Sequence, residues 1–142
     1  MDSNSTSFSS ERANVIDRLR SSHITPTHQR VLIGEALFSR AQHVSAEQVL
    51  SMVNDEHEEV SKATVYNTLG LFAQKGLINE LIIEPGKVFY DTNLEKHYHL
   101  YLTDTGELQD ISSSQIKIEQ IPQPPEGTIL EDVDVIIRLR KA

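Results

Sequence analysis

SKATVYNTLGLFAQKG, residues 61–76, carries both ends of one helix and a clear division of its surface. Ser61 has the hydroxyl of an N-cap, able to accept from an unpaired first-turn amide. Val65, Leu69, Phe72 and Ala73 recur at helical spacing and form one apolar stripe suited to a core. Gly76 tolerates the left-handed conformation just past a helix end, and Lys75 complements the dipole there. Off the stripe, toward the N-terminal end, stand Lys62, Ala63, Thr64, Tyr66, Asn67 and Thr68. Small polar and donor groups with one aromatic suit phosphate and base-edge contacts in a major groove. The outer face of any amphipathic helix is also polar. The flanking segments discriminate between the two.

Upstream, Glu11 to Arg20 places Val15, Ile16 and Leu19 at helical spacing among Arg12, Arg18 and Arg20. Thr25-Pro26 predicts the start of a second helix, a capping hydroxyl followed by proline at the first helical position, running to about Ser39 with Val31, Leu32, Leu37 and Phe38 inward. Ser45 and Gln48 make a capping-box pattern for a third helix with Val49, Leu50 and Val53. The acidic run DEHEE, residues 55–59, reads as the solvated loop that ends it. After Gly76 the period changes. LINELIIE and KVFYDT read as strands around a Pro85-Gly86 turn. Helices, the last with a polar outer face, followed directly by a hairpin, are the order of a winged helix-turn-helix, predicted here over residues 11–92 behind a disordered tail of residues 1–10.

From His97 the pattern starts afresh. HYHLYL alternates, TDTG turns and ELQDI alternates; Ile116, Ile118 and Ile121 suggest a further extended piece, and Pro122, Pro124, Pro125 and Gly127 exclude a helix there. Val133, Val135 and Ile137 alternate with Asp134, Ile136 and Arg138 in a last strand apolar on both faces, as strands interior to a sheet or at an interface are. Residues 97–142, about 45 in all, are too few to bury a core alone. Dimerisation through this segment is the expected remedy.

Composition narrows the chemistry. The chain has 142 residues, 38% hydrophobic and 24% charged, as in ordinary globular proteins. No apolar run approaches the roughly 20 residues of a membrane span, and MDSNSTSFSS has no signal-peptide core, so the expected address is cytoplasmic. With no cysteine there is no disulfide, no thiolate nucleophile and no cysteine-ligated zinc. The net charge of −8 opposes DNA binding in general. Yet Arg12, Arg18, Arg20, His28 and Arg30 cluster in the chain, and Arg20 is a candidate phosphate contact.

A metal here must be held by imidazole and carboxylate. His97 and His99, two apart on a strand, project to the same side. Asp91 ends the preceding strand and Asp110 the following one, so adjoining strands would gather all four. His43, directly before the third helix, is a fifth candidate from the other half. Nitrogen and oxygen donors without sulfur suit divalent iron, manganese or zinc. A small metalloenzyme using this cluster is the alternative, though no general base, nucleophile or phosphate-cradling loop accompanies it.

TPTHQR, HVSAEQVL, SKATVYNTLGLFAQKGLI, VFYDT, HYHL and TGELQDI, in this order and spacing, resemble the ferric uptake regulator family from about residue 12 onward. VFYDTN, DTGELQDI and IPQPPEGTILEDVDVIIRLR are most similar to its iron-response-regulator branch. The resemblance implies an α+β protein, a winged helix-turn-helix DNA-binding domain followed by a small α/β dimerisation and sensor domain, acting as a homodimer on operator DNA. It implies that His43, Asp91, His97, His99 and Asp110 hold the regulatory metal and that Tyr66 is the recognition-helix tyrosine. The chain departs from the family pattern at several points. Leu102 and Thr105 stand where many members place the first cysteine pair of a structural zinc, and Lys96 and Tyr98 where a second metal site has histidine and acid. The haem-sensing branch's Cys-Pro motif is missing and its histidine run is reduced to His97 and His99, so that haem would be held through imidazole only. Peroxide sensing, by iron-catalysed oxidation of a ligand histidine, is the alternative effector logic within the family.

Overall fold

The computed structural model describes residues 3–55 and 59–142, with side chains from residue 10 onward; residues 56–58 of the acidic run, His57 included, lie outside the described set. The chain divides into two compact units, Met1–Leu94 and Glu95–Ala142.

In the first unit the order is α1 (Ser3–Ser21), α2 (His28–Phe38), β1 (His43–Val44), α3 (Ala46–Val53), α4 (Lys62–Gln74), β2 (Asn79–Glu84) and β3 (Lys87–Asp91). The helix ends follow local chemistry. Ser61 caps α4 by accepting from Thr64 N–H, and Ser45 with Gln48 forms the reciprocal capping box of α3. At the far end of α4, Gly76 takes φ +78°; its N–H donates to Ala73 O and that of Leu77 to Phe72 O, the paired bonds of a Schellman motif. Leu77 is thereby buried and the chain is sent into β2.

Two helix starts differ from the sequence expectation. Thr27, not Thr25, caps α2, its hydroxyl accepting from Arg30 N–H at 3.3 Å. Thr25 instead belongs to a turn ahead of the helix, its carbonyl oxygen accepting from Thr27 N–H at 2.9 Å and from Arg30 Nη1 at 3.0 Å. Helix α1 begins at Ser3, inside the segment expected from sequence to be a disordered tail to residue 10. Nothing between Ser3 and Ser21 is glycine or proline, so the turn nucleated by the buried Val15 and Leu19 can propagate backward through serine, asparagine and threonine.

Val65, Leu69 and Phe72 of α4 are wholly shielded from solvent, among Val15, Leu19, Val31, Ile33, Leu37 and Val49 from the other three helices. Each such side chain contributes about 1.5–3 kcal/mol by burial. The inward face of α2 is Val31, Ile33, Gly34 and Leu37, with Leu32 and Phe38 only half-buried. Gly34 marks a close helix crossing, since a Cβ there would stand 2.6 Å from Val15 Cγ1.

The sheet of this unit has order β1-β3-β2, all antiparallel. Glu84 pairs with Lys87 across Pro85-Gly86, where proline and a glycine at φ +82° are the two central residues of a type II turn. Such a turn does not match strand twist, and the register shifts between Ile82 and Glu84 to absorb the mismatch. The two-residue strand β1, which no sequence pattern marks, pairs His43 with Asp91 and Val44 with Tyr90.

The second unit has β4 (His97–Leu102), β5 (Glu107–Ser112), a 3-10 turn (Ser113–Gln115) and β6 (Ile136–Leu139), in sheet order β5-β4-β6. Strand β6 runs parallel to β4 and is an edge strand, not an interior one, with Ile137 and Leu139 exposed. Ile116, Ile118 and Ile121 form no strand; the chain crosses Ile116–Val135 without helix or strand, as its prolines dictate. Lys96 Nζ donates to Asp132 Oδ1 at 2.7 Å and to Val133 O, tying this crossing to the start of β4. The bond to Asp132 raises the Lys96 pKa and lowers that of Asp132. Both groups are largely exposed, so the pair adds about 1 kcal/mol or less. That contribution is present between the ordinary aspartate and lysine ranges. It disappears as pH falls through Asp132 or rises through Lys96.

Gly34→Ala tests the helix crossing. Alanine favours a helix over glycine by about 1 kcal/mol, but valine is stiff at χ1 and Val15 is buried. The expected net result is a loss of about 1–2 kcal/mol in thermal or denaturant unfolding, recovered in part by Val15→Ala beside it. A stabilised single variant would mean that the crossing is loose.

Candidate functional site

In the second unit, β4 and β5 pair so that His99 lies opposite Asp110 and His97 opposite Ser112. The period-2 pleat puts His97 and His99 on one face with Asp110, as the HxH spacing requires. Their rings lie 4.6 Å apart between centroids, and Nε2 of each stands 3.6 Å from the same Asp110 Oδ1. His97 Nδ1 is 2.6 Å from the carbonyl oxygen of Glu95. A carbonyl can only accept, so Nδ1 carries a proton; in the neutral ring the lone pair is then on Nε2, the nitrogen nearer Asp110. This is the backbone orientation that ligand histidines use. The ligand atoms of the three residues lie within 4.8 Å of one another. Two donors each about 2.1 Å from one ion at a tetrahedral angle would be about 3.4 Å apart, so little movement separates this arrangement from a coordinated one. His99 is buried and Asp110 exposed, which leaves an approach from solvent.

In the first unit, His43 and Asp91 are directly paired across β1 and β3, which places both side chains on one face of that sheet. Asp91 is 2% exposed and accepts from Asn93 N–H at 2.9 Å. Strand pairing joins the strands of His97 and Asp110 but not that of Asp91: β4 and β5 share a sheet, and β3 belongs to the other one. Register pairs the histidines with Asp110 and Asp91 with His43.

Helix α4 presents Lys62, Ala63, Tyr66 and Asn67 to solvent, with Thr64 half-buried beneath them. Thr68, which the sequence pattern groups with this face, is 4% exposed and belongs to the inner side. Arg20 is exposed on α1. Lys62 Nζ stands 5.9 Å from the centroid of the Tyr66 ring. The Tyr66 hydroxyl donates to Glu47 Oε1 of α3, a residue that no sequence motif singles out because nothing local links positions so far apart. That bond holds the Glu47 carboxyl below the ordinary glutamate range and raises the Tyr66 phenol above the ordinary tyrosine value.

A winged helix with a polar, hydroxyl-bearing outer helix face, in one chain with imidazole and carboxylate donors held by strand register, defines a class: metal-responsive transcription regulators. The chain belongs to the ferric uptake regulator family, whose model matches residues 9–137. Members are transcription regulators and not enzymes, which removes the metalloenzyme alternative. The peroxide-responsive repressor PerR of Staphylococcus aureus is 30% identical over 109 residues, covering 76% of this chain and 74% of that protein; its Staphylococcus epidermidis counterpart is 29% identical over the same length. Among solved structures, the ferric uptake regulator of Pseudomonas aeruginosa with manganese is 28% identical, with a TM-score of 0.68 over 88% of this chain and 96% of that one. The Vibrio cholerae ferric uptake regulator, 23% identical with a TM-score of 0.69, shares the fold. No described helix is long and apolar enough to cross a membrane.

The Tyr66–Glu47 bond has a direct readout. The phenol of Tyr66 should ionise at higher pH than an ordinary tyrosine, since the neutral donor is what the carboxylate holds. In Glu47→Gln its titration, followed by NMR of ring-labelled tyrosine, should move down toward the usual value. An unchanged titration would mean the bond does not form in solution.

Proposed function

We propose that this chain is an iron-responsive, homodimeric regulator of the iron-response-regulator branch, acting on operator DNA in the cytoplasm. The observation that supports it most is the convergence of His97 and His99 Nε2 on Asp110, with Nδ1 of His97 tied back to the chain. The donor set fits a divalent ion without thiolate ligands, and iron, manganese and zinc all accept imidazole with carboxylate. In this reading Asp91 and His43 complete the sensor from the DNA-binding unit. Asp91 is a buried carboxylate only six residues before His97, and His43 is its cross-strand partner. The ion would supply a charge that holds these ligands together, and so set the spacing of two recognition helices against half-sites. Lys62, Ala63, Thr64, Tyr66 and Asn67 read DNA, and Arg20 meets phosphate.

The second unit is the dimerisation domain in this reading. Ile121, Ile129, Leu130, Ile137 and Leu139 are exposed on a segment of under fifty residues, and β6 leaves a strand edge unpaired within its own sheet. Val135→Asp with Ile137→Asp should yield monomer that scarcely binds DNA. Light scattering showing monomeric wild-type protein at micromolar concentration would overturn this assignment.

Metal and haem content of the purified protein, paired with DNA affinity of each form, tests the sensor. Effector and DNA binding should be coupled by about 1–3 kcal/mol. His97→Ala with His99→Ala should abolish that coupling while dimer and melting curve persist; His43→Ala should keep part of the metal affinity but lose the coupling. A full response in the double variant would show that the sensor lies elsewhere. Haem recovered in place of a metal would reassign the same imidazoles to haem iron.

Peroxide sensing is the second reading, favoured by the similarity to the staphylococcal peroxide-responsive repressors. Iron-loaded protein treated with peroxide would then gain one oxygen atom on His97 or His99 by mass spectrometry.

A further inference from the structure

Tyr66 and Glu47 are nineteen residues apart, on different helices, and both are exposed. Glu47 lies in the first turn of α3, where unpaired amides favour an anion. An acid beside a surface that approaches a polyphosphate is unfavourable on every DNA sequence. It must be offset at the sites the protein prefers, or the surface would bind better without it. The hydrogen bond shows how.

A tyrosine hydroxyl has one donor, and here it is committed to the carboxylate. What remains on the phenol oxygen is acceptor capacity, and Glu47 is acceptor-only as well. The pair therefore offers acceptors beside the apolar edge of an aromatic ring. Its complements in a major groove are the amino groups of cytosine N4 and adenine N6 and the thymine methyl. Guanine O6 and N7 and the phosphate oxygens, all acceptors, find no donor in it. Lys62, over the Tyr66 ring, adds a cation on the same helix and helps hold the ring in place.

We propose that Glu47 is a specificity-determining residue: it positions the Tyr66 ring by accepting its hydroxyl proton, and its charge disfavours DNA that offers no amino group to the pair. This rests on the DNA-reading role of α4 proposed above. Glu47 touches the bases only in so far as its free oxygen does; its effect on Tyr66 is one of positioning.

The test uses the full-length dimer in its DNA-binding form and two probes, a duplex enriched by the wild-type protein from a randomised pool and a scrambled duplex of equal composition. Affinity for both is measured with wild type, Glu47→Ala, Glu47→Gln, Tyr66→Phe and the Glu47→Ala/Tyr66→Phe pair. Because both side chains are exposed, all variants should melt as the wild type does. Glu47→Ala and Tyr66→Phe should each lower the preference for the enriched duplex by about fivefold or more, the scale of one lost base-pair contact. The double variant should lose no more than Glu47→Ala alone. Glu47→Gln keeps an acceptor oxygen but not the charge, so it should bind the scrambled duplex more tightly than wild type does. An unchanged preference in Glu47→Ala would reduce Glu47 to an ordinary surface acid and overturn the proposal. Additive losses in the double variant would overturn the positioning role, and unaltered binding of Glu47→Gln to the scrambled duplex would overturn the role of charge. Should the wild type enrich no duplex at all, α4 does not read DNA, and both this inference and the function it rests on fail together.

Discussion

Everything the first unit offers to a partner depends on the burial of Val65, Leu69 and Phe72. Their complete removal from solvent fixes the rotation of α4 about its own axis, because turning the helix by one residue would bring a polar side chain into the core. A misplaced helix would leave a hydroxyl or amide without partners, at about 1–3 kcal/mol for each unsatisfied group. The outer face is thus determined by the inner one. Lys62, Tyr66 and Asn67 point outward because the three apolar residues point in. The Ser61 cap and the Schellman motif at Gly76 then set where the helix starts and where the hairpin leaves it.

A comparable constraint operates in the second unit through strand register. The TDTG turn joins β4 to β5 so that His99 meets Asp110. Slipping the pair by one residue would carry Asp110 to the other face and leave the two imidazoles without their carboxylate. The donor cluster is a consequence of turn length and period-2 alternation, and the Glu95 carbonyl supplies the final orientation of His97. Without cysteines, the unit cannot draw stability from a thiolate-bound zinc. The Lys96–Asp132 pair and the exposed apolar residues of Ile121–Leu139 show where that stability is sought instead: a weak surface clip, and area that only another surface can cover.

An acidic chain that serves DNA recognition must place its few cations with care. At a net charge of −8, attraction to phosphate has to come from local groups and not from the field of the whole protein. Weak general attraction suits a regulator that must distinguish its sites from bulk DNA.

Residues 61–76 are legible as a helix from sequence alone because cap, stripe and terminating glycine each act over a single turn of chain. The hairpin around Pro85-Gly86 and the shared face of His97 and His99 are legible for the same reason, being products of turn chemistry and of period 2. Non-local partners are not. Strand β1 is two residues long and exists only because β3 lies beside it. The paired positions of His43 and Asp91, the edge placement of β6 and the burial of Thr68 are set by which elements pack together. Glu47 joins Tyr66 across two helices whose crossing no spacing rule encodes. Local periodicity is determined by backbone geometry and can be read along the chain. Pairing is determined by free energies of surfaces distant in sequence, and those exist only once the chain has folded.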